Sequence, residues 1–272
     1  MKRFLFTILL SLPVVAHAAE LKVISLSPHA TELAYTAGLG DAMIAVDDYS
    51  HYPAEVDKLE HVASYKGLNI ERIAALQPDL VISWKGGNPA DQVEKLEKLG
   101  ITVFHSTLST LDNTANELEA LSKYASDSSI GEKAADEMRK ELAEIRKAQE
   151  GKAQVAYFYQ LSSNPLFTVS GNNWPNPLFA ICGGKNTFEA ASAAYPQVNK
   201  EQVIVKKPEA IFYADGSTDP KVFWESWKDH LPAAQSEAVF NLTADWVNQA
   251  TPRSLKAVKQ ICTAMDKVRE QA

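Results

Sequence analysis

The chain has 272 residues, 46% hydrophobic and 22% charged, with 12 Gly and 13 Pro. That is enough apolar material for a sizeable core and too little bias for a disordered or fibrous protein. The formal net charge is −7, and the acidic balance argues against nucleic acid as a partner, which calls for a basic face.

At the start, Lys2 and Arg3 precede an apolar stretch over residues 4–15, and Ala16-His17-Ala18 offers a small-residue cleavage site. Residues 1–18 therefore read as a secretory signal. Without it, 25 Lys and Arg stand against 34 Asp and Glu, a net charge of −9. No later run approaches the roughly 18 apolar residues of a transmembrane helix, and Ala19 in place of a cysteine speaks against a lipid anchor. A soluble exported chain is expected. Its two cysteines, Cys182 and Cys262, favour a disulfide in an oxidising compartment over two buried thiols.

Short β-branched or aromatic runs at 23–26, 44–46, 80–83 and 102–104 alternate with segments of helical period. The second half repeats the alternation, with runs at 155–159, 210–213 and 239–242. The pattern predicts an α/β protein with parallel-type sheets covered by helices. Between the halves, residues 130–150 are charged and Ala-rich, with Ala134, Met138, Leu142 and Ile145 at helical spacing and Ser128 and Ser129 as candidate caps. A rigid connector of about 20 residues would be about 30 Å long. The expected division is a lobe over 19–127, a connector helix over 128–151 and a second lobe over 152–272.

A gapless repeat supports two similar lobes. Asn69-x-Glu71-x-Ile73 leads to Pro78-Asp79-x-Val81, and 130 residues later Asn199-x-Glu201-x-Val203 leads to Pro208-Glu209-x-Ile211, with Tyr65 and Tyr195 at the same offset. In each copy an Asn would cap a short helix, a proline would end it, and a buried strand would follow.

No catalytic set stands out: G-x-S-x-G, H-E-x-x-H and G-x-x-x-x-G-K-[ST] are all missing. His29, His51, His61, His105 and His230 are scattered, so a transition-metal site would have to be assembled from distant segments. An exported enzyme would need Asp245, Glu71 or Glu201 as general acid or base, and none has a partner at a readable spacing. Aromatics, however, follow the predicted strands: Tyr49 and Tyr52 after 44–46, Trp84 after 80–83, Phe167 after Asn164-Pro165, and Trp246 after 239–242. Ligands of open α/β sheets bind beyond the carboxyl ends of the strands, so these residues read as a stacking surface.

The motifs Ser25-Leu26-Ser27-Pro28 with Thr31-Glu32, Tyr49-Ser50-x-Tyr52-Pro53, Pro78-Asp79-Leu80-Val81-Ile82, Trp84-x-Gly86-Gly87-Asn88, Asn164-Pro165-x-Phe167, Cys182-Gly183-Gly184 and Asp245-Trp246 with Pro252-Arg253 run the length of the chain. In these it resembles the substrate-binding proteins of bacterial ABC importers, the helical-backbone class that serves cobalamin, haem and siderophores, and within it the cobalamin carriers. The resemblance implies a periplasmic protein, a monomer when free, that holds cobalamin edge-on between its lobes as transported ligand rather than cofactor. By the same resemblance Tyr49, Trp84, Phe167 and Asp245, Trp246, Val247, Asn248 and Gln249 form the pocket, with Tyr65 and Tyr195 at its rim. Those two tyrosines stand where the family commonly has Trp, and they keep a stacking face. Glu71 and Glu201 match carboxylates that dock on the inner-membrane permease. The rival within the class is a haem or ferric-siderophore carrier, for which Tyr49, or Tyr52 with His51, would supply an axial ligand to haem.

Overall fold

The computed structural model describes residues 21–107, 109–171, 173–214 and 220–271; the leader read at 1–18 lies outside them. Strands β1 (Val23–Ser25), β2 (Met43–Asp47), β3 (Glu60–Ser64), β4 (Gly67–Leu68), β5 (Leu80–Trp84) and β6 (Val103–Ser106) form one sheet in the order β4-β3-β2-β1-β5-β6. All of its pairings are parallel except β3 with β4. β1 is buried at every residue, as a strand covered on both faces must be. Alternate residues feed two cores: Val23 and Ile82 join the cluster under α1 (Pro28–Thr36), while Ile24 and Val81 join Ile73 of α2 (Ile70–Leu76) and Val93 and Leu96 of α3 (Ala90–Lys98). Helix α4 (Leu111–Ser122) packs on the α1 side.

Helix α5 (Ser129–Gln149) follows, close to the span read from the sequence. Its cap differs from the one expected. Ser128 makes no capping bond; the Asp127 carboxylate instead accepts from the Ser129 N–H at 3.0 Å and hydroxyl at 2.6 Å, which suits the positive end of the helix. Gly131 lets α5 approach its neighbours closely, since a Cβ there would lie 2.6 Å from Ser122 Cβ and 3.0 Å from Ala37 Cα. Ala135, Met138 and Leu142 face inward from α5.

The second sheet comprises β7 (Val155–Gln160), β10 (Gly184–Asn186), β11 (Ala210–Ala214) and β12 (Val239–Leu242), all parallel, in the order β10-β7-β11-β12; β8 (Ser162–Ser163) and β9 (Leu166–Phe167) form a separate hairpin. Helices α6 (Asn176–Ile181), α7 (Lys200–Lys206), α8 (Pro220–Glu225), α9 (Pro232–Gln235), α10 (Ala244–Val247) and α11 (Ser254–Gln271) accompany them. A disulfide joins Cys182, at the end of α6, to Cys262 on α11.

The sequence repeat is a structural one. Asn69 accepts from the Arg72 N–H, and Asn199 from the Gln202 N–H. Both helices end on a left-handed residue, Gln77 at φ 52° and Lys207 at φ 49°. The acidic residue after each proline then latches the first strand of its own sheet: Asp79 accepts from the Lys22 N–H at 2.9 Å and Glu209 from the Ala156 N–H at 2.7 Å. Each of these N–H groups lies one residue before an aligned pair, Val23 with Leu80 in one sheet and Tyr157 with Ala210 in the other.

Candidate ligand-binding cleft

The aromatic residues named from the sequence lie at or just beyond the carboxyl ends of strands in both halves, and the local chemistry explains how they are held. After β2, the Asp47 carboxylate accepts from the Tyr49 N–H at 2.8 Å and the Ser50 hydroxyl at 2.5 Å; Ser50 Oγ is in turn 2.6 Å from Thr31 Oγ1 on α1. Burial pushes the Asp47 carboxyl above the usual range, against the pull of the bonds from Ser50 and Tyr49. This buried knot pins the loop backbone and turns the Tyr49 ring outward. Tyr49 is 51% and Tyr65 79% exposed, with their ring centroids 6.4 Å apart.

The motif Trp84-x-Gly86-Gly87-Asn88 proves to be one closed unit. Asn88 accepts from the Trp84 N–H at 2.6 Å and donates to the Leu26 carbonyl at 2.9 Å, tying the loop after β5 to the one after β1. Gly86 takes a left-handed φ of 95°. Gly87 must lack a side chain because its Cβ would fall 2.0 Å from Trp84 Cε3. The half-buried indole thus lies on the Gly87 backbone, and the His29 ring meets it edge-on at 5.6 Å.

His29 itself is fully enclosed. Its Nδ1 lies 3.1 Å from Ser27 Oγ and its Nε2 3.1 Å from Ser106 Oγ, which donates to Glu117 at 2.5 Å. Ser106 has one proton and gives it to the carboxylate, so Nε2 carries the imidazole hydrogen and Nδ1 accepts from Ser27. Burial lowers the His29 pKa to about 3, and the ring is neutral.

In the second half, residues 166–170 pair with 194–198 through bonds from the Thr168, Ser170 and Val198 amides. Phe167 bridges to Gln197, and Tyr195, 54% exposed, stands in the same paired segment. The five residues from Asp245 to Gln249 divide. Asp245 and Asn248 are exposed, and Asn248 Oδ1 accepts from the Tyr159 hydroxyl at 3.4 Å. Trp246 is half-buried with Lys256 Nζ 5.2 Å from its ring centroid, and it lines a groove of about 570 Å³ with Phe240, Lys259 and Lys267. Val247 departs from the expectation: its side chain is fully buried in the core and presents nothing to a ligand, while its carbonyl accepts from Trp174 Nε1 at 2.8 Å. Gln249 is half-buried, its carbonyl taken by the Ser254 hydroxyl.

The structure adds a contact to which the sequence assigned no role. Arg253, preceding α11, donates through Nε to Glu32 Oε2 on α1 at 2.8 Å, with Nη2 at 2.6 Å, and its guanidinium lies 3.8 Å from the centroid of the Tyr52 ring. The partners are 221 positions apart, too far for any local pattern to join them. Glu71 and Glu201 are exposed in the first turns of α2 and α7. Another recess, of about 1010 Å³, lies elsewhere, between the start of α4, the end of α5 and α6. Its lining holds no aromatic side chain, so the aromatic segments at the strand ends are the better candidate site for a ligand held by stacking.

Among the described residues no three His, Cys, Asp or Glu side chains are placed to hold a metal ion, and no helix is long and apolar enough to cross a membrane. What these segments offer is exposed aromatic faces at the strand ends of two sheets, exposed amide and carboxylate groups at Asn248 and Asp245, and a buried polar foundation under Tyr49: equipment for holding a large apolar ligand. Comparison with known proteins agrees. The sequence profile of the periplasmic binding protein family matches residues 23–245, and the chain belongs to that family of binding proteins. More particularly, a vitamin B12-binding protein of Vibrio parahaemolyticus is 47% identical over 250 residues, covering 92% of this chain and 91% of its own. Another from Photorhabdus laumondii is 40% identical, covering 92% and 90%. The crystal structure of the periplasmic vitamin B12-binding protein BtuF of Vibrio cholerae matches with a TM-score of 0.87 at 43% identity, over 92% of this chain and 98% of that one. The periplasmic haem-binding protein RhuT from Roseiflexus, at 20% identity and a TM-score of 0.79 over 92% of this chain and 100% of its own, shares the two-lobed fold.

Proposed function

We propose that this protein captures vitamin B12 (cobalamin) in the cleft between its two lobes in the periplasm and delivers it to an inner-membrane ABC importer. The carrying observation is the set of exposed aromatic rings at the carboxyl ends of the two sheets, Tyr49 with Tyr65 on one side and Tyr195 on the other, where the half-buried Phe167 lies in the same paired segment. Chains of near-complete coverage that bear the name vitamin B12-binding protein support the choice of ligand. In this reading Trp84, resting on Gly87, adds a further stacking face, and Asp245, Asn248 and Gln249 supply hydrogen bonds at the corrin periphery. Trp246 contributes from the flank, through the lysine-bordered groove it lines. The lobes are residues 19–127 and 152–272, joined by the connector at 128–151, and the free protein is a monomer. Glu71 and Glu201, placed alike by the repeat, meet basic groups on the importer. Rim charges of this kind steer encounter and fix register more than they add affinity.

Isothermal titration of the purified mature protein with cyanocobalamin is the direct test. The expected result is one-to-one binding at micromolar protein; absence of heat, with a Soret shift on mixing with haem, would transfer the cleft to haem.

A further inference from the structure

We infer that the Glu32–Arg253 ion pair sets the spacing of the cleft walls, Arg253 acting as a positioning residue for the ligand through Tyr52 and through the segment that ends at Gln249. The inference rests on the ligand reading above and adds to it the means by which the cleft is held at one width.

The pair crosses from α1 to the loop before α11 and is largely withdrawn from water, with side-chain exposures of 2% for Glu32 and 15% for Arg253. Two N–H groups of one guanidinium converge on one carboxylate oxygen, and a planar fork in that arrangement fixes direction as well as distance. The opposite use of the same plane is the Tyr52 ring, 3.8 Å away. Tyr52 is 49% exposed, so stacking on Arg253 holds the ring while leaving surface for a ligand.

Both walls converge on consecutive residues of α1. Thr31 contacts Ser50 and so anchors the loop carrying Tyr49, and Glu32 holds Arg253. On the far side the turn from Gln249 to Ser254 is tied to itself, because the Ser254 hydroxyl donates to the Gln249 carbonyl and accepts from the Thr251 N–H. Moving Arg253 therefore moves Gln249 and the end of α10. A carboxylate this deeply buried would be costly without its partner, which keeps the pair closed in the absence of ligand. Pre-organisation of this kind shows mainly in the dissociation rate.

The test is stopped-flow release of cyanocobalamin from the wild type, from Arg253→Lys and from the double variant Glu32→Gln/Arg253→Gln, each with its melting temperature. Lysine keeps the charge but loses the fork and the flat face, and release should quicken several-fold. The double variant leaves no orphaned carboxylate; it should release at least tenfold faster with association changed less than threefold. A purely structural pair would lower the melting temperature and leave release from the folded fraction unchanged. Release within twofold of wild type in the double variant, or in Arg253→Lys should the double variant not fold, overturns the inference. A wild type that binds no cyanocobalamin overturns the ligand reading instead.

Discussion

Position 87 has room for a hydrogen atom and nothing larger, because the Trp84 indole occupies the place of a Cβ. Gly87→Ala should therefore lift the ring off its seat and weaken cyanocobalamin binding about tenfold, while Trp84→Ala should cost one to two orders of magnitude, in line with the roughly 2 kcal/mol of a binding-surface aromatic. The loop is exposed at Lys85, Gly86 and Gly87, so the melting temperature should stay close to wild type in both; titration calorimetry and a thermal melt on the same samples check this. His29, against the edge of that indole, gives a pH dependence. Its folded pKa of about 3 lies below the ordinary imidazole value of 6.5, so between these values the unfolded chain binds a proton that the folded chain refuses. Stability is then lost as pH falls from 6.5 toward 3, with a slope of up to about 1.4 kcal/mol per pH unit. Asp47, whose carboxyl is pushed up, has the opposite sign just above pH 3.8. Denaturant titrations at pH 7 and pH 4.5 should show a smaller drop in His29→Gln than in the wild type, the contribution of Asp47 being common to both. Of the candidate site, the exposed rings and the closed Trp84 turn were legible because ring and turn residues carry their own signals. The neutral His29 relay and the Arg253 contact were not, because each depends on partners that only folding assembles.

At the scale of elements, Gly131 is the seat of α5 on α1 and α4. Gly131→Ala would force a methyl group to 2.6 Å from Ser122 Cβ and 3.0 Å from the Ala37 backbone. Although alanine is the better helix former, the crowding should prevail and cost about 1–3 kcal/mol, readable as a lowered denaturant midpoint. Strands β5, β7 and β11 could be read from the sequence to within a residue or so because their apolar runs are mostly buried, and β12 because its apolar ends Val239 and Leu242 are buried. β3 escaped notice because it opens on the exposed polar pair Glu60 and His61. β10, reading Gly-Lys-Asn, has no β-forming residue at all; it is held by its parallel neighbour β7 and by Asn186, whose amide donates to the Val169 carbonyl. The cap of α5 shifted from serine to Asp127 because a carboxylate reaches the first-turn donors and carries the favourable charge.

For the whole molecule, the repeat puts Glu71 and Glu201 on corresponding helices of the two lobes. Glu71→Arg and Glu201→Arg should leave cyanocobalamin affinity unchanged yet slow uptake by the reconstituted importer, with the double reversal worse than either single one, since two contacts act together. Uptake by the double variant at the wild-type rate would remove the docking role and leave these residues as helix-terminal carboxylates. The connector has a different consequence. A single apolar cluster runs from Val23 and Leu33 through Ala135, Met138 and Leu142 of α5 to Tyr157, Ile211 and Val258. The halves look like duplicates, but they are not interchangeable parts. A recombinant joining the first half of this chain to the second half of a distant relative would have to match side-chain volumes along the inner stripe of α5 as well as the disulfide between α6 and α11. The exposed rings at the strand ends, such as Tyr49, Tyr65 and Tyr195, carry no such obligation, so new ligand preferences can arise by change at these rings far more readily than by exchange of lobes.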